Sequence, residues 1–206
     1  MISRRHVITG VAAIGGYFSL GARVGAAGAE RRFDFAKALD GWEIVTGKWA
    51  LEDMADAHGG RALVQRATGN EFNVIVAPGG PYADVDVLVR FKPISGREDA
   101  SGGIVFRFSE GRYYVVRANA LEDNFRFYYY DRGRRQIDGA RVKAPALGQW
   151  HALRIRADGD RIQAWLNDQA LIDSRDGRYK SGRVGLWTKT DSVTAFDNLV
   201  VQPVNA

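Results

Sequence analysis

Cysteine is absent from all 206 residues. Neither disulfides nor thiolate metal sites can brace the chain, so an oxidising compartment would leave it to stand on its core alone. Histidine is scarce. Of the three, His6 lies near the N-terminus, His58 in the turn Asp56-Ala57-His58-Gly59-Gly60, and His151 at the head of an alternating strand, where it reads as a sheet residue. That is too few ligands for a histidine metal centre. No nucleophile elbow, phosphate-cradling glycine loop or dinucleotide fingerprint occurs, so no cofactor is required. A sustained helical stripe is missing after the first thirty residues, which argues against crossover helices and a parallel sheet.

Acidic residues are absent before Glu30, and the composition there differs from all that follows. Ser3-Arg4-Arg5 precedes a small and apolar run from Val7 to Leu20, and Ala27-Gly28-Ala29 offers the small side chains that signal peptidase accepts. Residues 1–29 read as a twin-arginine signal peptide cleaved after Ala29, with 30–206 as one exported domain, periplasmic or secreted. A retained membrane anchor is the competing reading, but the apolar run is shorter than the roughly 20 residues of a spanning helix. No stable membrane insertion is expected after cleavage. The leader holds Arg4, Arg5 and Arg23 and no acid, so its loss takes the formal charge from +5 to +2. Such a balance gives no reason to expect nucleic acid, and Asp131 and Asp138 interrupt the arginines between Arg126 and Arg141, as on a solvated face.

From residue 33 onward apolar residues recur with a period of two, broken every eight to twelve residues by Gly, Asp, Asn or Pro. This pattern predicts strands at 82–92, 104–109, 113–119, 125–131, 150–157, 161–166, 183–188 and 193–202. Shorter ones are expected at 32–35, 48–51, 62–66 and 72–77. Asp158-Gly159, Asn167-Asp168 and Glu110-Gly111 supply hairpin turn chemistry. About a dozen antiparallel strands in one domain predict an all-β, two-sheet jelly-roll sandwich.

Alternation also sorts side chains between faces. Ile104, Phe106 and Phe108, then Tyr114, Val116 and Ala118, then Phe125, Phe127 and Tyr129 are expected to point inward. The opposite faces carry Arg107; Tyr113, Arg117 and Asn119; Arg126, Tyr128 and Tyr130. One explanation is structural, with arginines pairing with acids such as Asp86 across strands and tyrosines covering the sheet. The other is a ligand face, because rings stack on apolar sugar faces while guanidinium groups fork onto oxygens. Trp165 and Trp187 could join that face or lie on the other sheet. Two polar strand ends flank it: Arg117, Asn119, Glu122 and Asn124 crowd one, Lys189 and Asp191 the other. If they meet in space they make a sugar pocket; otherwise the first is a loop whose side chains cap their own backbone.

Phe91-Lys92-Pro93-Ile94-Ser95-Gly96, Ser101-Gly102-Gly103-Ile104-Val105-Phe106-Arg107 and Tyr113 through Asn124 resemble the exported concanavalin-like, laminin-G-like jelly rolls of the 3-keto-disaccharide hydrolase domain type. So do Gly148-Gln149-Trp150-His151, Gly182 through Ser192 and Phe196-Asp197-Asn198-Leu199. The resemblance implies a saccharide ligand and hydrolysis of 3-keto-glycosides, for which Glu122 or Asp191 would be the acid or base; the alternation and the polar strand ends put Arg107, Tyr113, Arg117, Asn119, Asn124, Tyr128, Trp187 and Lys189 around the sugar. It also implies a structural calcium where the chain ends converge, held by Asp34 and Asp197, although Asp197 could equally bond backbone amides. The chain departs from laminarinase-like glycoside hydrolases. Their strand-borne Glu-x-Asp-x-x-Glu is missing, and Asp84 and Asp86 are the nearest approach to a carboxylate pair. A non-catalytic lectin-like module binding envelope glycan or a protein is therefore the standing alternative.

Overall fold

The computed structural model describes residues 28–204; most of the predicted leader lies outside that range. No helix occurs among the described residues. Fifteen strands form two antiparallel sheets packed as a jelly-roll sandwich. The larger sheet runs β13 (Gln169–Arg175), β12 (Arg161–Leu166), β11 (His151–Asp158), β6 (Val85–Ser95), β15 (Val193–Pro203), β4 (Arg61–Gln65) and β3 (Trp49–Asp53), with β1 (Arg31–Phe33) also paired to β15. The smaller runs β10 (Arg134–Arg141), β9 (Asn124–Tyr130), β8 (Arg112–Asn119), β7 (Ser101–Ser109), β14 (Arg183–Lys189), β5 (Phe72–Val76) and β2 (Glu43–Thr46).

Between the sheets the inward sets interdigitate as the alternation predicts. Val85, Val87, Val89 and Phe91 of β6 and Leu153, Ile155 and Ala157 of β11 meet Ile104, Phe106, Tyr114, Val116, Phe125 and Phe127 from the smaller sheet. The outer face of the larger sheet is an ion-pair lattice. Arg154 grips Asp86 through two bonds of 2.8 and 2.6 Å, and Arg161 pairs with Asp173. Asp86 therefore pairs within the larger sheet rather than with the arginines of the β7–β9 face. The Arg154 guanidinium also lies 4.9 Å from the ring centroid of Trp165, which places Trp165 on this face.

Three strands escape the period-two reading: β2, β10 and β13. All three are sheet edges, where one flank meets solvent and charged residues discourage edge-to-edge pairing. Their sequences EIVT, RRQIDGAR and QALIDSR accordingly lack a clean alternation.

A second departure is a one-residue bulge in β7. Phe106 opposes Tyr114 and Ser109 opposes Arg112, and the same extra residue appears against β14. Arg107 absorbs it with φ at +50°, a region sparsely open to non-glycine residues. Beyond the bulge the faces exchange. Phe108, expected inward, stacks on Tyr113 at the outer face with centroids 5.9 Å apart. Arg107, expected outward as a sugar ligand, is instead buried at the end of the sandwich.

Candidate functional site

The outer face of the smaller sheet is built row by row. Cross-strand pairing sets Trp187 of β14 against Gly103 of β7, Gly103 against Arg117 of β8, and Arg117 against Arg126 of β9. One step along, Lys189 opposes Phe72 of β5, and Ser101 opposes Asn119. Tyr113 opposes Tyr130, and Val115 opposes Tyr128. Seven of the eight expected sugar-binding residues, Tyr113, Arg117, Asn119, Asn124, Tyr128, Trp187 and Lys189, thus share one face. Arg107 is the exception.

The aromatics are a floor rather than a row of free platforms. Phe72 stacks on Trp187 at 5.5 Å and meets Tyr130 edge-on at 5.5 Å. Tyr113 lies parallel to Tyr130 at 5.0 Å. Together with Val74, Val76, Val105 and Val115 they form a second apolar cluster on the outside of the sheet. Burial pushes the Tyr113 phenol well up, so it stays neutral as a donor. Beside this floor opens a cleft of about 460 Å³ whose lining includes Val45, Asn70, Glu71, Phe72, Tyr113 and Tyr130.

At one end of the floor the two polar strand ends converge. Arg117, nearly all of it buried, donates through Nη1 to Asn124 Oδ1 at 2.6 Å and through Nη2 to Glu122 Oε2 at 2.9 Å. The same Nη2 reaches the Tyr128 hydroxyl at 3.3 Å. Burial raises the Glu122 pKa, but the Asn124 amide and the Arg117 charge, with help from Lys189, outweigh it and hold the carboxyl below its ordinary value. Lys189 is anchored by Asp99, whose other oxygen accepts the Ser192 hydroxyl. Two buried donors stay without a protein partner, Arg117 Nε and Asn119 Nδ2; Asn119 Oδ1 meanwhile accepts the amides of Ala100 and Leu121.

Asp191 stands differently from Glu122. Its carboxylate accepts the backbone amides of Arg97, Glu98 and Asp99. Burial would raise its pKa, but those amides hold it low. It is a loop staple, occupied by amides, and supplies no free acid or base to pair with Glu122. Arg107 likewise serves the scaffold: its guanidinium donates to the carbonyls of Ala83, Tyr179 and Gly159 and to Asp84. His151 is fixed between the Ala146 carbonyl and the Asn167 amide, a sheet residue as expected.

For the expected calcium, Asp197 is fully buried, accepts the His58 amide and Arg90 through Oδ2, and leaves Oδ1 without a partner. The Asp34 carboxylate caps the Ala36 amide, while the Asp34 carbonyl lies against Gly59 of the same turn. Among the described residues no three Asp, Glu or His side chains gather to hold a metal. Asp197 Oδ1 is the side-chain oxygen left for a calcium here, since the Asp34 carboxylate expected beside it is taken by the Ala36 amide; any further ligands would be oxygens of the main chain.

Sequence reasoning overlooked Phe72, Asp99 and Arg134. Phe72 stood in a short strand with no sign that its face joined β14, and Arg134 lies in the unread edge β10.

The family model of the 3-keto-alpha-glucoside-1,2-lyase-like domain matches residues 28–202. This chain belongs to that family. Levanase of Bacillus subtilis (strain 168) is 26% identical to this family member over 171 residues, 80% of this chain but only 23% of that protein. Among solved structures, carbohydrate binding module CBM66 from Bacillus subtilis superposes with a TM-score of 0.68 at 23% identity, covering 79% of this chain and 95% of that one. Bacillus licheniformis beta-glucanase gives 0.60 at 12% identity, covering 86% and 99%. At these identities the two structures speak for the jelly-roll fold of the domain.

Proposed function

We propose that this chain is an exported saccharide-binding domain whose ligand lies across the outer face of the smaller sheet. The observation that carries the reading is the hydrogen-bonded cluster of Arg117, Glu122 and Asn124, with the Lys189 charge acting on Glu122 from β14, beside an aromatic floor. Sugars ask for that combination: donors and acceptors in alternation for hydroxyls, and ring faces for their C–H surfaces. The levanase relative and the carbohydrate binding module of like fold support a saccharide ligand. Export rests on the twin-arginine leader, and the structural calcium on Asp197 Oδ1.

Chemistry on a 3-keto-glycoside is the second reading, favoured by the family. A ketone at C3 acidifies the C2 hydrogen, so a base that removes it can expel the C1 substituent, a lyase reaction rather than the hydrolysis expected from sequence. Glu122 is the group at hand. Its lowered pKa keeps it ionised at neutral pH but weakens it as a base, and Asp191 offers no partner acid, so binding without turnover is the first expectation.

The test follows both binding and product release when the purified protein meets ordinary and 3-oxidised disaccharides. Saturable binding without turnover establishes the module. Turnover that Glu122→Gln abolishes establishes the enzyme instead. Absence of any signal from either sugar class, and from acidic oligosaccharides as well, refutes the carbohydrate reading altogether.

A further inference from the structure

The face carries more positive charge than its internal pairing uses. Arg117 is neutralised by Glu122 and Lys189 by Asp99. Arg126 stands directly across from Arg117 on the neighbouring strand, and of the two only Arg117 holds a carboxylate. Arg134, where β10 begins, folds over the floor with its guanidinium carbon 4.5 Å from the Tyr128 ring centroid and 5.5 Å from that of Phe72. Its Nη1 is buried and has no hydrogen-bond partner. Neither Arg126 nor Arg134 forms a salt bridge among the described residues.

The acids that interrupt these arginines in sequence are directed elsewhere. Asp131 reaches only its neighbour Arg132, at 3.6 Å. Asp138 accepts the Ser174 hydroxyl from the other sheet and the Gly139 amide. Gly139 also makes room for Arg126. A Cβ there would come within 2.7 Å of the Arg126 Cδ and Nη1, so the missing side chain lets Arg126 lie across β10. Two cations are thereby held at the rim of the saccharide face with no acid at salt-bridge distance among the described residues; Glu71, in the lining of the cleft beside Tyr113, is an acid close to the floor that forms no such bridge.

We propose that the saccharide bound here is acidic, carrying carboxylates as uronic acid residues, and that Arg126 and Arg134 recognise those carboxylates. This rests on the saccharide reading and adds its charge class. A guanidinium forks onto a planar carboxylate through two parallel bonds. Stacking on Tyr128 and Phe72 fixes the Arg134 plane beforehand, so little side-chain freedom is lost on binding. The ring faces of the same sugar then meet the aromatic floor.

The experiment uses the full chain and a panel of uronic acid oligosaccharides (galacturonate, glucuronate, mannuronate) beside carboxyl-reduced counterparts, with a single-stranded oligonucleotide as a second polyanion. Affinities are measured calorimetrically at low and high salt. At least one acidic member should bind at least tenfold more tightly than its reduced form, and the difference should shrink with salt. Arg126→Gln with Arg134→Gln should erase that difference, read as the ratio of acidic to reduced-sugar affinity on variant protein shown by circular dichroism to be folded. Equal or tighter binding of reduced sugars, or a double variant that keeps the preference, overturns the inference and leaves the saccharide reading standing. Tighter binding of the oligonucleotide than of any uronate overturns it as well. Silence across the whole sugar panel removes both readings.

Discussion

Replacing Arg107 by leucine should unfold the domain at a markedly lower temperature without touching its ligand. The guanidinium is 1% exposed and donates to Ala83 O at 3.0 and 2.8 Å, Tyr179 O at 2.9 Å and Gly159 O at 2.7 Å. It thereby ties the lead-in to β6, the β11–β12 turn and the segment before β14 to the bulge of β7. Burial pushes its pKa down, with Asp84 partly restoring it, yet arginine stays charged at any working pH. Leucine would fill much of the stem volume but leave three carbonyls and Asp84 unanswered. Removing one member of a buried charged network costs about 3–5 kcal/mol. Asp84 keeps the Gly159 amide and some access to water, so the low end applies, about 3 kcal/mol. For a domain of this size that is a fall of about 6–12 °C in the midpoint. Arg107→Lys should recover part of it, because one ammonium cannot span the same acceptors. Thermal unfolding followed by circular dichroism measures the shift, and a saccharide titration well below the transition measures the ligand. A midpoint within about 2 °C of the parent, or a weakened affinity at an unchanged midpoint, would refute the scaffold role and return Arg107 to the binding face.

Trp187→Ala should cost about 3–5 kcal/mol by opening a cavity under Phe72, and saccharide affinity should fall with it; chemical denaturation and calorimetry on the same sample check both. Asp191→Asn should loosen the 97–99 loop by about 1–2 kcal/mol, read in denaturant midpoints. Because its folded pKa lies below the ordinary 3.8, that contribution is complete above about pH 4 and fades as pH falls through the lowered value; the gap between variant and parent should therefore close in acid. Added calcium should raise the parent's midpoint and a chelator reverse it, whereas Asp197→Ala should abolish the response; an unchanged parent would dismiss the ion.

The sandwich and most of one face were legible because both rest on parity. Strands such as β6, β11 and β12 bury one side and wet the other, so hydrophobicity itself writes their alternation; in β8 both sides are largely buried, and it is the polar Arg117 and Asn119 at one parity that mark the surface shared by Tyr113 and, on β9, Tyr128. Edges break this link. β10 is wetted along a flank as well as a face, its residues answer to charge rather than burial, and Arg134 stayed unplaced until its partner strand was known. The convergence of Glu122 with Lys189 was equally out of reach, since β8 and β14 meet only through β7, an order that period cannot encode. The Arg107 error is the more instructive one. A bulge leaves the pattern readable on either side, and Ile104, Phe106 and Phe108 keep their period of two in sequence while changing faces in space. Only the count of residues against Tyr114 to Arg112 and Gly185 to Arg183 exposes the extra one. A parity argument is therefore secure for residues on the near side of a strand's first pairing irregularity and inverts beyond it. That is why Arg117, in a strand of unbroken register with β9, kept its face while Arg107 lost it.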